Sequence, residues 1–136
     1  MAMVIRAELF QPGLQIVQPE FFNQMTTNHG LIMVFGVIMP AFVGLANWML
    51  PIQIGAPDMA LPRLNNLSFW LLPMAFGILI STLFMPEGGP NFGWTFYAPL
   101  STTYAPSTVN FFIFSVHVMG ISSILGSINI ITTIFN

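Results

Sequence analysis

His29 is the first residue whose type and position could do chemistry, because it lies at the edge of a long uncharged stretch. No charged residue occurs between Glu20 and Asp58, and residues 26–35 read "TTNHGLIMVF". A neutral imidazole is a common metal ligand, the usual proximal haem ligand and a group that passes protons. A histidine in a solvated loop, or one satisfied by a neighbouring helix, would also fit this position. Both roles stay open from the residues alone.

Asp58 is the only aspartate, within the turn-rich stretch "GAPDMALPR". Arg63 follows five residues later, so a loop ion pair is one interpretation. The other comes from the amides nearby, Asn47 before the aspartate and Asn65 and Asn66 after it. An acid at a membrane edge, beside amides that can hold water, would collect protons and pass them inward.

A polar stripe in the last third of the chain could extend such a path. Its members recur at spacings of four, three, four, three and four, which places them on one face of a helix, with Ser123 and Ser127 beside them. Small and hydroxylated residues are also what helix–helix contacts in lipid favour, so spacing alone favours packing. The stripe comprises Ser115, Met119, Ser122, Gly126, Asn129 and Thr133.

Three further ionisable residues complete the candidates. Arg6 and Glu8 either mark the end of a helix or, in the case of the arginine, pair with an anionic or carbonyl group of a cofactor. His117, in "FSVHVMG", lies near the start of an apolar run. For this histidine we favour a structural role, hydrogen-bonded within a helix bundle.

The composition restricts what kind of protein can position these residues. Of the 136 residues, 55% are hydrophobic and only 4% are charged, whereas about 25% of residues in soluble domains are charged. The sequence therefore predicts an all-α integral membrane protein. A net charge of −2 argues against a nucleic-acid partner, and the absence of cysteine excludes disulfides and thiolate metal sites within these residues.

Three apolar runs are long enough to cross a bilayer, which requires about 20 residues per helix. We place the spans at about residues 28–50, 67–84 and 109–135. Residues 1–10 are interpreted as the end of a truncated upstream span, because they lack the basic region and cleavage site of a signal peptide. The last run ends in "SINIITTIFN", so we expect this single partial membrane domain to be a fragment.

Several motifs together resemble one known family. "IRAELFQPG", "NHGLIMVF", "NWMLPIQIGAPDMALPRLNNLSFWLLP", "GWTFYAPL" and "FSVHVMGISSILGSINIITTI" occur in this order over nearly the whole chain. They resemble subunit I of haem–copper cytochrome c oxidase, in bacterial form. The resemblance implies a twelve-span helical bundle, of which this chain would supply three spans and the end of a preceding one.

The resemblance also implies roles for the residues near the first span. His29 matches an axial ligand of the low-spin haem a, and Arg6 matches the arginine that hydrogen-bonds the formyl group of that haem. Trp94 matches a tryptophan near the haem propionates. Glu8 and Gly13 match positions of a calcium or sodium site. The ligands of haem a3 and copper would lie outside this chain.

A proton pathway is implied for the residues around the turn. Asp58 matches the acid at its entrance, and the polar positions along it match Asn47, Asn65, Ser122 and Ser123. The expected function is electron transfer from cytochrome c to O2 with proton pumping, by an enzyme inactive as this piece alone. The expected partners are the other oxidase subunits, cytochrome c through subunit II, membrane lipid and O2, in the bacterial cytoplasmic membrane.

Two alternatives stay open. A quinol oxidase of the same superfamily would share most of these motifs, although Trp48, Pro57, Arg63 and Phe21 favour the cytochrome c group. A small non-enzymatic membrane bundle, such as a channel or an assembly subunit, belongs to a different functional class and would need no further catalytic residues.

Overall fold

A computed structural model describes all of residues 1–136, and every regular element in it is helical. A short helix, α1 (Ala2–Glu8), is followed by three helices that are long and apolar enough to cross a membrane. These span Pro19–Ile54, Pro62–Phe84 and Val109–Phe135. The predicted all-α class with three membrane-spanning helices is therefore confirmed.

The first long helix consists of α2 (Pro19–Leu31), a π-helical segment (Ile32–Ile38) and α3 (Met39–Ile54). It begins at a proline in the first turn, where the missing N–H costs nothing. It ends at Gly55, whose φ of 72° is the left-handed conformation that glycine adopts without strain. The helix starts nine residues before the span placed at 28–50, because its first turns are polar and a hydropathy criterion does not register them.

The second long helix consists of α4 (Pro62–Ser81) and one 3₁₀ turn (Thr82–Phe84). It also begins at a proline, five residues before the span placed at 67–84. The third, α5 (Val109–Phe135), begins and ends at the residues placed from the sequence.

Helices α4 and α5 form the main packing interface. Ser115 Oγ donates a hydrogen bond to the carbonyl oxygen of Ala75 at 2.7 Å, and Ser122 Oγ donates to that of Ser68 at 2.6 Å. All six residues of the polar stripe on α5 are buried, so the prediction that they share a packing face is confirmed. A hydroxyl bonded across the interface lets the two backbones approach closely and leaves no polar group unpaired.

The loop of residues 85–108 folds over one end of the bundle, where it contacts α2 and the first turns of α5. Glu87 Oε2 accepts the hydroxyl and the backbone N–H of Ser107, both at 2.6 Å, and these two bonds hold the pKa of Glu87 below its ordinary value. The N–H of Gly93 donates to Thr27 Oγ1 at 3.0 Å, which attaches the loop to α2. Phe92 packs edge-on against Phe112 of α5.

The outward faces of the three long helices are apolar and exposed. In the most apolar 18-residue window of each, only 6%, 22% and 33% of the residues are buried, in chain order. Such faces need lipid or further protein to cover them, because exposed apolar area on this scale is unfavourable in water.

Gly36 lies in the π-helical segment where the first and second long helices touch. A Cβ added at this position would overlap the aromatic ring of Phe76 on α4. The ring therefore occupies the space that the missing side chain leaves, and the helix separation depends on that glycine.

We expect Gly36→Ala to lower the thermal stability of the detergent-solubilised protein, because the ring must move or the helices must separate. Overpacking of this kind costs about 1–3 kcal/mol. Gly77→Ala is the matched control, since a Cβ there meets nothing within 4 Å and alanine favours the helix. Equal melting temperatures for the two variants would contradict the packing role of Gly36.

Candidate functional site

A cavity of about 480 Å³ lies between the three long helices. At the end nearest the turn that joins the first two helices, its wall is polar, with Asn47, Asn65 and Asn66. Further in, most of the wall is apolar. The lining residues are Phe35, Met39, Pro40, Val43, Gly44, Asn47, Pro62, Asn65, Asn66, Ser68, Phe69, Leu72, Met119, Ser122 and Ser123.

Four residues predicted for one pathway meet in this cavity. Asn47 comes from α3, Asn65 from α4, and Ser122 and Ser123 from α5. The Oδ1 atom of Asn47 is buried and has no hydrogen-bond partner in the protein, so it can accept from a water molecule. Ser122 keeps its acceptor capacity, because its hydroxyl donates to the carbonyl of Ser68.

Asp58 lies outside the cavity and is exposed, in the turn of residues 55–61. Its Oδ1 atom accepts the N–H of the next residue, Met59, at 2.7 Å. Pro62, four residues further, lines the cavity. The turn therefore leaves the acid exposed near the polar end of the cavity, and the structure records no ion pair between it and Arg63.

Two residues of α5 hold this turn in place. Asn129 Oδ1 accepts the N–H of Leu61, and Thr133 Oγ1 accepts that of Ala60, both at 3.0 Å. Both side chains are buried, and the Nδ2 atom of Asn129 has no partner in the protein. The sequence placed both residues on the packing face but gave neither a role at the turn. The sequence signal that could have indicated this role is the continuation of the polar stripe to the end of α5.

Ser68 and Asn66 also line the cavity, although neither was predicted as a site residue. Asn66 was noted only as a polar neighbour. Ser68 is buried in the first half of α4 and donates its hydroxyl to the carbonyl of Asn65 at 2.8 Å. Its spacing of three from Asn65 is the signal that could have identified it, because residues three apart lie on one helix face.

His29 lies at the other end of the bundle, in the last turn of α2, half-buried. A Cβ added to the next residue, Gly30, would lie 3.9 Å from Cβ of Trp94 in the 85–108 loop. The hydrogen bond from the N–H of Gly93 to Thr27 holds the loop at this level of the helix α2. The structure thus brings Trp94 next to the turn that carries His29.

His117 faces outward on α5, and its Nδ1 atom lies 2.8 Å from the carbonyl oxygen of Ile113 on the same helix. That geometry is a hydrogen bond within one helix turn. It agrees with the structural role favoured from the sequence, although the partner is local and not on a neighbouring helix.

Arg6 and Glu8 lie in the last turn of α1, with Arg6 exposed and Glu8 buried. The carboxylate accepts three backbone N–H groups, those of Gln15, Ile16 and Val17, at 2.9, 2.6 and 3.0 Å. These bonds hold the pKa of Glu8 below its ordinary value, because they stabilise the charged form.

Gly13 allows the connecting loop to return to this carboxylate. Its φ of 97° lies in the left-handed region that favours glycine. Gly13 and Glu8 also line a second cavity of about 360 Å³. No group of three or more His, Cys, Asp or Glu side chains converges in the structure, so any cation here would need other oxygen ligands as well, such as backbone carbonyls or the amides of Gln11 and Asn23, which line the same cavity.

Comparison with known proteins decides the family. The family model described as "Cytochrome C and Quinol oxidase polypeptide I" matches residues 1–136. The chain belongs to this family. The resemblance seen in the motifs is therefore confirmed.

Named relatives agree with that assignment. A probable cytochrome c oxidase subunit 1-alpha of Streptomyces coelicolor is 46% identical, and a cytochrome c oxidase subunit 1 of Corynebacterium diphtheriae is 43% identical. Each match covers 98% of this chain but 24% of the relative. The chain thus spans about a quarter of the length of these relatives, and three helices of the family's bundle are described.

We expect Thr133→Val to loosen the turn that carries Asp58, because the N–H of Ala60 would lose its acceptor. An unpaired buried donor costs about 1–3 kcal/mol. Hydrogen–deuterium exchange at residues 58–61 should rise. Thr132→Val is the matched control, since that exposed hydroxyl bonds only to carbonyls of its own helix. Unchanged exchange in Thr133→Val would contradict the anchoring role.

Proposed function

We propose that this chain is part of the catalytic subunit of a terminal respiratory oxidase, and that it carries the start of a proton pathway and one ligand of a low-spin haem. The observation that carries the proposal is the cavity in which Asn47, Asn65, Ser122 and Ser123 meet. These residues lie on three different helices and line one cavity, with the asparagines at the end nearest Asp58, and a path for protons requires such a series of polar groups.

The chemistry of the wall suits proton transfer. Amides and hydroxyls hold water by hydrogen bonds but do not titrate near neutral pH, so they support a chain of water molecules without trapping the proton. Asp58 is exposed and titratable, and it stands where protons from the aqueous side would be collected. Protons would then move through water held by Asn47 and Asn65 and reach the serines of α5.

His29 fits a haem ligand, because it is a half-buried residue at the bundle's other end, and its neighbour Gly30 lies next to Trp94. We assign to it the role of an iron ligand of a low-spin haem a. Arg6 would bond the haem formyl group, and Trp94 would lie near the propionates. The haem would supply electron transfer at this site. The ligands of haem a3 and copper would come from outside this chain.

Glu8 and Gly13 are proposed as part of a calcium or sodium site. Oε2 of Glu8 already accepts two N–H groups and Oε1 only one, so Oε1 is the oxygen with capacity left for a cation. Oxygen atoms are the ligands that both ions require.

The electron donor and the location follow from the relatives. Those in Streptomyces and Corynebacterium are named as cytochrome c oxidases, and we extend that donor to this chain, with O2 as the acceptor. The other oxidase subunits, cytochrome c through subunit II and the lipid of a bacterial cytoplasmic membrane would be the partners. Membership of the family argues against a non-enzymatic membrane bundle. The remaining alternative, a quinol oxidase, is tested by measuring O2 consumption with reduced quinol as the donor in place of cytochrome c.

We expect Asp58→Asn in the full-length, reconstituted oxidase to retain its haem spectra but lose most of its turnover and proton release. Asparagine keeps the shape and the acceptor for Met59, but it cannot titrate at neutral pH. A surface ion pair is worth only about 0–1 kcal/mol, so loss of a pair with Arg63 would leave turnover nearly normal.

Arg63→Gln is the control for that measurement, because it removes the only possible ion-pair partner predicted for Asp58 and leaves the acid in place. Normal proton release in Asp58→Asn, or an equal loss in both variants, would refute the role as proton entrance.

We expect His29→Ala to remove or convert the low-spin haem signal in the optical spectrum, while the chain still inserts into the membrane. The reason is that the iron would lose this ligand. His117→Ala is the matched control and should leave the spectrum intact, since that imidazole bonds to its own helix. An unaltered low-spin spectrum in His29→Ala would refute the ligand assignment.

A further inference from the structure

Three prolines lie inside the long helices, and each has the same relation to the cavity. Pro51 and Pro73 are internal to α3 and α4, and Pro40 lies inside the continuous helix Pro19–Ile54. A proline has no N–H, so a carbonyl one turn before it loses its helical donor. In all three cases that carbonyl belongs to a residue that lines the cavity.

The assignment is direct for two of the prolines. In α-helical geometry the residue at position 73 would donate to the carbonyl of Phe69, and the residue at position 51 to that of Asn47. Phe69 and Asn47 both line the cavity. The side-chain Oδ1 of Asn47 has no partner in the protein, and its main-chain oxygen lacks the donor that a residue other than proline at position 51 would supply.

Pro40 follows the π-helical segment, where donors reach back five residues. The N–H of Met39 donates to the carbonyl of Val34. The next donor in this register would be residue 40, bonding to the carbonyl of Phe35, and Pro40 has none to give. Phe35 also lines the cavity.

The hydroxyls of the bundle do not fill these acceptors. Ser68 donates to the carbonyl of Asn65, Ser115 to that of Ala75 and Ser122 to that of Ser68. Helix α5 contains no proline and contributes its serines to the wall. The first two long helices thus present main-chain acceptors where the third presents hydroxyls.

We propose that the cavity binds ordered water molecules through the main-chain carbonyls of Phe35, Asn47 and Phe69, which the three prolines keep free. A buried water needs two to four polar partners, and the inner wall offers few from side chains, since Phe35, Met39 and Leu72 are apolar there. The carbonyls fill that gap. The carbonyls accept hydrogen bonds and do not titrate. The chain of water molecules can therefore continue inward from the asparagines without a group that would hold the proton.

This inference rests on the proposed proton pathway and adds the positioning residues of its inner part. In lipid, water molecules are one of the recognised ways to satisfy the carbonyls that a proline leaves free. If the prolines served only to bend the helices, the cavity would need no water at these carbonyls, and proton transfer would not depend on them.

The test uses Pro73→Ala and Pro40→Ala in the full-length oxidase with its partner subunits. Alanine restores an N–H that can bond to the freed carbonyl and so withdraws that acceptor from water. We expect unchanged haem spectra and equal or higher thermal stability. Proton uptake should be about fivefold slower, because the transfer path would lose the stabilisation of one net hydrogen bond. Bands of water in redox-induced infrared difference spectra should weaken as well.

Gly77→Ala is the matched control. It makes the same helix stiffer but lies outside the cavity wall, and a Cβ there meets nothing within 4 Å. Wild-type uptake in this variant, together with slow uptake in both proline variants, would support the proposal. Wild-type uptake in the proline variants would overturn it.

Failure of the pathway itself is distinguishable from failure of this inference. If Asp58→Asn pumps normally, the proposed pathway is wrong; if Asp58→Asn is blocked and the proline variants are normal, only the water sites are wrong. Should the proline variants not assemble, a high-resolution map of the wild-type oxidase decides. Water within hydrogen-bond distance of the Phe35 and Phe69 carbonyls supports the proposal, and a dry inner cavity overturns it.

Discussion

Pairing of main-chain polar groups in an apolar environment is the constraint on which this structure depends. An unpaired peptide group costs several kcal/mol in hydrocarbon, and a helix avoids this cost by pairing its main-chain groups within one segment. The contacts between helices obey the same rule, because the hydroxyls of Ser115 and Ser122 donate to carbonyls of α4. The turn before α4 obeys it too, since its N–H groups find acceptors on Asn129 and Thr133.

The departures from regular helix coincide with the places where chemistry is proposed. The π-helical segment and the internal prolines occur where the helices line the cavity, and a π segment inside a helix is frequently associated with function. The helix ends are conventional, with prolines in the first turns of α2 and α4 and Gly55 as a left-handed cap after α3. Irregular backbone at membrane depth is tolerated where it lines a cavity.

The two proposed activities lie at opposite ends of the bundle. At one end, the loop of residues 85–108 brings Trp94 next to Gly30, the neighbour of His29, and the bond from Gly93 to Thr27 attaches this loop to α2. The polar end of the cavity lies beside the turn of residues 55–61, which α5 fastens from the other side. In both places a hydrogen bond between a side chain and the backbone of a distant segment fixes the position of a proposed functional residue along the helix axis. Thr27 does this for the loop that carries Trp94, and Asn129 and Thr133 do it for the turn that carries Asp58. The proposed sites of proton collection and electron transfer are thereby separated along the helix axes.

The sequence by itself determined the class of the protein, its three long helices and its family. Low charge and long apolar runs indicate a membrane protein, and α5 could be placed to the residue because its apolar run begins and ends with the helix. The polar beginnings of the other two helices could not be placed, since hydropathy does not register the turns that Pro19 and Pro62 start. Motif spacing also put Ser115, Ser122 and Asn129 on one face, because the helical period is local.

Only the tertiary structure decided which residues meet. Asn47, Asn65 and Ser122 line one cavity because three helices pack around it, and no local pattern encodes the distance between helices. The same holds for the bonds from Asn129 and Thr133 to the turn, which join residues almost seventy or more positions apart. The partners of Glu8 were equally hidden, since the path of a loop, and not its composition, brings three N–H groups to one carboxylate. Local sequence fixes the helical period and the helix ends, whereas these contacts depend on how distant segments pack.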